Sequence, residues 1–118
     1  MQYLLLIYRD EVAAEKAAKS DQAAMGKEYG TFTQEIIKSG HFKAGDALQP
    51  TRTATTVRVR AGKTLTTDGP FAETKEQLAG YYLVEAKNLD DAIGLAARIP
   101  NARDGSIEVR PINVMARP

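Results

Sequence analysis

Asp68, Glu73 and Lys75 fall within the eight residues DGPFAETK that begin at position 68, two carboxylates and one ammonium near enough in the chain to serve one site. Such a set can do proton chemistry. Lys75 would hold an anionic substrate while Asp68 or Glu73 moves a proton, which suffices for isomerisation or elimination without a metal. His41, the only histidine of the chain, adds the one side chain whose ordinary pKa lies near neutrality. Each of these residues also has a plainer use. A carboxylate ahead of Gly69 and Pro70 can accept backbone N–H bonds and fix a turn. Glu73, Lys75 and Gln77 would share one side of an extended, solvated edge. His41, directly after Gly40, would interact with the free carbonyls of a helix end. Phe71 reads first as a core plug and second as a stacking surface for a ligand. Arg58, like Arg52 and Arg60, is a solvated hairpin position that could bind an anion or pair across an interface. The candidates are therefore Asp68 and His41 for catalysis, and Lys75, Glu73, Phe71 and Arg58 for substrate binding.

Composition narrows the field. The chain has 118 residues, the size of one domain, and we read residues 1–118 as such. Folding at this length hides roughly two thirds of the unfolded surface, enough for one ordinary core. With no cysteine, disulfides, thiolate nucleophiles and cysteine-held metals are excluded, which fits a cytoplasmic protein. Sixteen Lys and Arg against fifteen Asp and Glu leave a net charge of +1, which is not the field of a protein that wraps nucleic acid or lies on a membrane. The apolar run Tyr3 to Tyr8 is too short for a signal peptide or a membrane span. One histidine and scattered acids show no metal-ligand spacing, and GDALQP lacks the pattern of a phosphate loop. We expect neither metal nor cofactor.

The elements that must position these residues follow from periodicity. Residues 2 to 8 suit a strand buried on both faces. The alanine-rich stretch 13 to 24 reads as a connection into a helix from about Ser20 to Ser39, capped by Ser20 and ended by Gly40. Met25, Tyr29, Phe32 and Ile36 form its apolar stripe. The step of four between Gly26 and Gly30 suggests close approach of a neighbouring backbone. His41 to Leu48 reads as a strand bent at Gly45. TATTVRVRAGKTLTT alternates as a hairpin, with Val57 and Val59 on one side and Arg58 and Arg60 on the other. Because alanine resists positive φ, the spacing predicts a type I turn with a glycine bulge, in which Gly62 alone is left-handed. Leu78 to Ala86 is a further strand. Asn88 caps a helix from Leu89, with Leu89, Ile93, Ala96 and Ala97 inward and Pro100 as its stop. Ser106 to Arg110 closes the order, with Ile107 and Val109 inward. The sum is α+β: a ferredoxin-like βαββαβ antiparallel sheet with an inserted β-hairpin and both helices on one face. The apolar residues of the other face call for a cover, and a second copy packing sheet to sheet supplies it, so a homodimer is expected.

MQYLLLIYRDE at the start, GDALQPTRTATTVRVRAGKTLTTDGPFAETKEQLAGYYLVEAKNLDDAI in the middle and GSIEVRPI near the end together resemble the DGPF branch of the YCII-related proteins. The resemblance covers nearly the whole chain apart from residues 13 to 24 and the tail after Ile112. Ala61 departs from it, standing where Asp or Asn is expected. The resemblance implies a dimeric α/β-barrel arrangement of the ferredoxin-like fold and no general activity for the family. It also implies an association with extracytoplasmic-function sigma factors, beside which members are often encoded. The YCII branch itself is associated with a His and Asp pair; the resemblance does not carry that pair over residue by residue, but His41 could pair with Asp68 here.

Two functions are open to such a protein. In the first, a small polar or anionic organic molecule binds in a pocket near the DGPF segment, with acid/base chemistry of the isomerase or lyase kind. In the second, DGPFAETKE is the docking surface of a non-catalytic regulatory module whose partner is a protein such as a sigma factor. Convergence of Asp68, His41 and Lys75 on a closed pocket marks the first, and their dispersal over an exposed face marks the second.

Overall fold

The computed structural model of the protein describes residues 1–114. In chain order the elements are β1 (Gln2–Arg9), α1 (Glu11–Lys16), α2 (Lys19–Lys38), β2 (Phe42–Ala47), β3 (Thr55–Arg60), β4 (Lys63–Asp68), β5 (Gln77–Glu85), α3 (Leu89–Ala97) and β6 (Ser106–Pro111). Short 3-10 turns stand at Thr51–Thr53 and Pro100–Ala102. This is a mixed α+β architecture in which every strand pairing is antiparallel. Four strands form one sheet in the order β2-β5-β1-β6, and among the described residues β3 and β4 pair only with each other. Among the described residues no helix is long and apolar enough to cross a membrane.

Alternation along β1 sets the core. Tyr3, Leu5 and Ile7 are buried, and they lie opposite Val84, Tyr82 and Gly80 of β5 on the same face. That face is covered by Phe32 and Ile36 of α2 and by Ala92, Leu95 and Ala96 of α3, so both helices lie on one side. The opposite face carries Leu4, Leu6 and Leu83, which the single chain leaves half-buried rather than sealed. Burial of β1 on both faces is therefore met on one face only. Gly45 of β2 is required by close approach, since an added Cβ would stand 2.7 Å from the ring of Tyr82.

Several local expectations need correction. The stretch read as a connection overlaps α1, whose start is capped by the Asp10 carboxylate accepting from the Ala13 N–H at 3.1 Å. Ser20 does not cap α2. The chain leaves α1 in extended form through Ala17 and Ala18, and the helix begins at Lys19, before the serine, with no side-chain cap. At the other end the sequence reading holds: Gly40 is left-handed at φ 82°, and the His41 and Gly40 N–H groups donate to Ile36 and Ile37. The inner stripe of α3 is Ala92, Leu95, Ala96 and then Ile99, while Leu89 and Ile93 are about half exposed at 50% and 48%. A small residue at position 92 lets the helix sit close to the sheet, and proximity outweighs the greater hydrophobicity of Leu89 and Ile93.

Gly26 and Gly30 meet no neighbouring backbone, for a Cβ at either would find nothing within 4 Å. Both are exposed glycines inside a helix. Changing each to alanine should raise stability by nearly 1 kcal/mol, about 1.5–2 kcal/mol for the pair. An upward shift of the urea midpoint is the expected result; a fall would mean that α2 has a contact that these glycines serve.

The hairpin turn also differs from expectation. Arg60 pairs directly with Lys63, and both residues between them are left-handed, Ala61 at φ 50° and Gly62 at φ 74°. This is a two-residue primed turn. Six residue pairs from Thr55 with Asp68 to Arg60 with Lys63 run without an extra residue, so the register admits no bulge. Alanine accepts a conformation that costs about 1–2 kcal/mol to keep that register.

The molecule is broad and thin, measuring 48 × 44 × 19 Å with a radius of gyration of 16.2 Å. A compact chain of this length has a radius near 13 Å. Its accessible surface is 8303 Å², about 2,000 Å² more than the roughly 6,300 Å² usual for a folded monomer of this mass.

Candidate functional site

The β3–β4 hairpin projects as an arm, and its base carries the DGPF segment. Gly69, at φ 97°, donates its N–H to Ala54 O at 2.7 Å, and Thr56 Oγ1 donates to Gly69 O at 2.9 Å. Backbone and threonine thus fix the turn into Pro70. The Asp68 carboxylate has no hydrogen-bond partner among the described residues, so the plainer use foreseen for it is filled by other groups. The loop beyond is tied into β5 by Gln77 Nε2 donating to Thr74 O at 2.6 Å and by the Thr74 hydroxyl donating to Glu76 O.

Phe71 is 79% exposed, which overturns its reading as a core plug. The ring instead lies beneath Arg58, whose guanidinium carbon is 5.4 Å from the ring centroid. Arg58 is half-buried and, among the described residues, has no ion-pair partner. Other arginines do have one: Arg52 pairs with Glu15, Arg98 with Glu35 and Arg103 with Glu28. Glu73 and Lys75 are exposed on the loop. Alternation along the arm separates two candidates, for Asp68 lies opposite Thr55 on the face of Val57 and Val59, whereas Arg58 lies opposite Leu65 on the reverse face.

His41 is elsewhere. Its Nδ1 is 2.6 Å from Ser39 Oγ and its Nε2 is 3.4 Å from Asp91 Oδ2. The Asp91 carboxyl is held below the usual carboxylate range, first by the Lys87 N–H that it accepts at 2.9 Å and further by His41. His41 O accepts from Glu85 at the end of β5, while the DGPF segment enters β5 at Gln77. Eight residue steps of strand separate these ends, about 27 Å. One chain does not bring His41 to Asp68. The two clefts that stand out on the surface surround Phe32, Arg98 and Arg103 in one case and His41 and Asp91 in the other; Asp68, Phe71, Glu73 and Lys75 line neither.

Two arrangements escaped the sequence reading. Glu11 accepts from both the N–H and the hydroxyl of Thr51 at 2.6 Å, and its own N–H donates to Gln77 Oε1 at 2.9 Å. This latch joins the end of β1, the turn leading to the arm and the start of β5, and the Thr51 bonds hold the Glu11 carboxyl below its ordinary value. On the open sheet face, Tyr81 donates its hydroxyl to Asp46 Oδ2 at 2.7 Å, and that bond raises the pKa of the phenol. The pair sits directly opposite in register. Alternation of Asp46 along its strand was the available signal for the second; the first depends on a contact between residues 40 positions apart.

A family model described as the YCII-related domain matches residues 1–116 of the chain. An uncharacterised protein of Rhizobium meliloti (strain 1021) is 38% identical over 114 residues, which are 95% of this chain and 92% of that protein.

Proposed function

The chain belongs to the YCII-related family, and from that premise and the geometry of the arm we propose a homodimer that binds a small anionic organic molecule beside the DGPF segment. Arg58 is the group that holds the anion. The observation that carries the reading is its state in the structure: a half-buried guanidinium lying over Phe71 without a carboxylate to neutralise it among the described residues. A planar fork of donors on an aromatic platform suits a carboxylate or phosphate. Lys75 and Glu73, exposed on the loop that follows Phe71, would contact the rest of the ligand.

The strand order and the common side of the two helices support the ferredoxin-like βαββαβ reading, with β3 and β4 inserted. The excess of surface and the half-buried Leu4, Leu6 and Leu83 support the dimer through the sheet face. The activity proposed is binding. A proton transfer by Asp68 beside Arg58 would need both on one face of the arm, and its pairing with His41 would need a second chain to bring them together. The exposed Val57 and Val59 favour a second reading, a non-catalytic module that docks on a protein such as a sigma factor.

Thermal melting with inorganic phosphate and with succinate separates the two. A ligand at one hundred times its Kd adds about 2.7 kcal/mol to the native state. Arg58→Gln should bind about thirty-fold more weakly, a loss of about 2 kcal/mol, and Arg58→Lys should recover part of it. Melting that neither anion moves, or an Arg58→Gln variant that binds like the native protein, would overturn the binding reading in favour of the docking module.

A further inference from the structure

We infer that the β3–β4 hairpin is an exchange arm, whose Val57 and Val59 face lies on the open sheet face of a second copy and carries Asp68 there with it. The inference rests on the homodimer proposed above and names the surfaces that make it. A two-stranded ribbon is marginal in water unless a third element or a helix supports it. Among the described residues this one pairs with no other strand, all of β4 is exposed, and Val57 and Val59 are 60% and 59% exposed side by side. Its turn nevertheless holds Ala61 at positive φ, which keeps the six-pair register of the arm intact.

The dimensions agree with a second copy as occupant. Each strand of the arm has six residues, about 20 Å at about 3.4 Å per residue. Four strands at about 4.8 Å spacing make a sheet about 19 Å wide, so the arm is as long as the sheet is broad. The receiving face offers Leu4, Leu6 and Leu83, the apolar residues that the helices do not cover. The surplus of about 2,000 Å² over a folded monomer lies within the roughly 1,000–2,500 Å² that each chain contributes to an obligate dimer.

The arrangement also gives the two faces of the arm separate duties. The reverse face, with Arg58 over Phe71, stays with its own chain and keeps the anion site. The forward face delivers Asp68, which has no hydrogen-bond partner among the described residues, to the sheet of the other copy. A site that uses Asp68 is thus incomplete without the second copy.

Sedimentation equilibrium of the native chain and of Val57→Asp/Val59→Asp tests this. The native chain should be a dimer, and the double variant should raise the dimer Kd at least about a hundred-fold, because carboxylates would replace apolar groups at the contact. Both positions are exposed, so the far-UV circular dichroism should not change. Independently, the cysteine-free chain allows Val57→Cys and Leu83→Cys to be made singly and mixed with a short bismaleimide. A covalent heterodimer is expected from that mixture and not from Val57→Cys with Lys27→Cys, which lies on the helical side. A double variant as dimeric as the native chain, or crosslinking to position 27 in place of 83, overturns the arm exchange and leaves the dimer standing. A monomeric native chain overturns both. The anion site fails by a different result, unchanged phosphate binding in Arg58→Gln.

Discussion

Gly105→Ala should cost the fold about 3 kcal/mol, a large part of the 5–15 kcal/mol that holds an ordinary domain together. The position does not have a left-handed φ; the reason is crowding. A Cβ built on Gly105 would stand 2.2 Å from Tyr8 O and 3.1 Å from Asn101 O, and both are main-chain atoms that cannot swing aside. Gly105 is also pinned by donating its N–H to that same Asn101 O at 2.7 Å. The next residue, Ser106, pairs with Tyr8 across β1 and β6. Relief would therefore shift β6 relative to β1, the strand that pairs on both sides and supplies Tyr3, Leu5 and Ile7 to the core. Urea denaturation followed by circular dichroism measures the loss, with Gly26→Ala as the control in which the same methyl group should stabilise. An unchanged midpoint for Gly105→Ala would mean that β6 can slide without penalty and that the approach to Tyr8 is not a constraint.

Asn101→Ala should be the next most harmful, at about 2–3 kcal/mol. Asn101 is the one polar residue buried among those described, at 4% exposure. Its Oδ1 accepts from the Tyr29 hydroxyl at 2.7 Å and its Nδ2 donates to Asp104 Oδ1 at 2.9 Å, joining α2 to the turn before β6. Alanine would leave the phenol, itself largely covered, without its acceptor. The Tyr29 hydroxyl is pushed up to about 12, chiefly by burial. A phenol whose folded pKa lies above its unfolded value near 10 contributes stability that is complete below about pH 10 and is lost as the pH rises through about 12. With its partial solvent access, that contribution is about 1 kcal/mol. Tyr29→Phe should remove this alkaline slope while Asn101→Ala lowers stability at neutral pH too. Urea midpoints at neutral pH and at about pH 11 test both; equal alkaline losses in native and Tyr29→Phe protein would show that other groups set the slope.

What could be read from the sequence was whatever repeats. The continuous apolar block Tyr3 to Ile7 and the alternation in Ser106 to Arg110 marked strands because a sheet face is defined residue by residue. Gly40 was legible because a left-handed ending needs that residue. The orientation of α3 was not, since Leu89 and Ile93 are the more hydrophobic side chains but Ala92 fits the space, and the sequence carries no measure of that space. Turn type failed at Ala61 for a related reason: local preference opposed positive φ, and the register of twelve paired residues overrode it. At the candidate site, the segment itself was legible but its faces were not. Phe71 was assigned inward on hydrophobicity, yet Pro70 and the primed hairpin aim it outward under Arg58. The Glu11 latch was hidden because nothing near Glu11 in sequence reports on Thr51.

The thinness of the molecule reaches into its heat capacity. Unfolding exposes surface, and both the heat-capacity increment and the denaturant slope grow with the area exposed. A single chain that already shows about 2,000 Å² more than its mass requires has about a sixth less surface left to uncover. Its stability curve as one chain is correspondingly flat, and it bends toward that of an ordinary 118-residue domain only when something covers the slab. Leu5, Ile36, Ile99 and Val84 are the largest fully sealed side chains among the described residues, so the interior is closer to a seam than to a volume. Temperature, in such a protein, acts on a seam whose width depends on association.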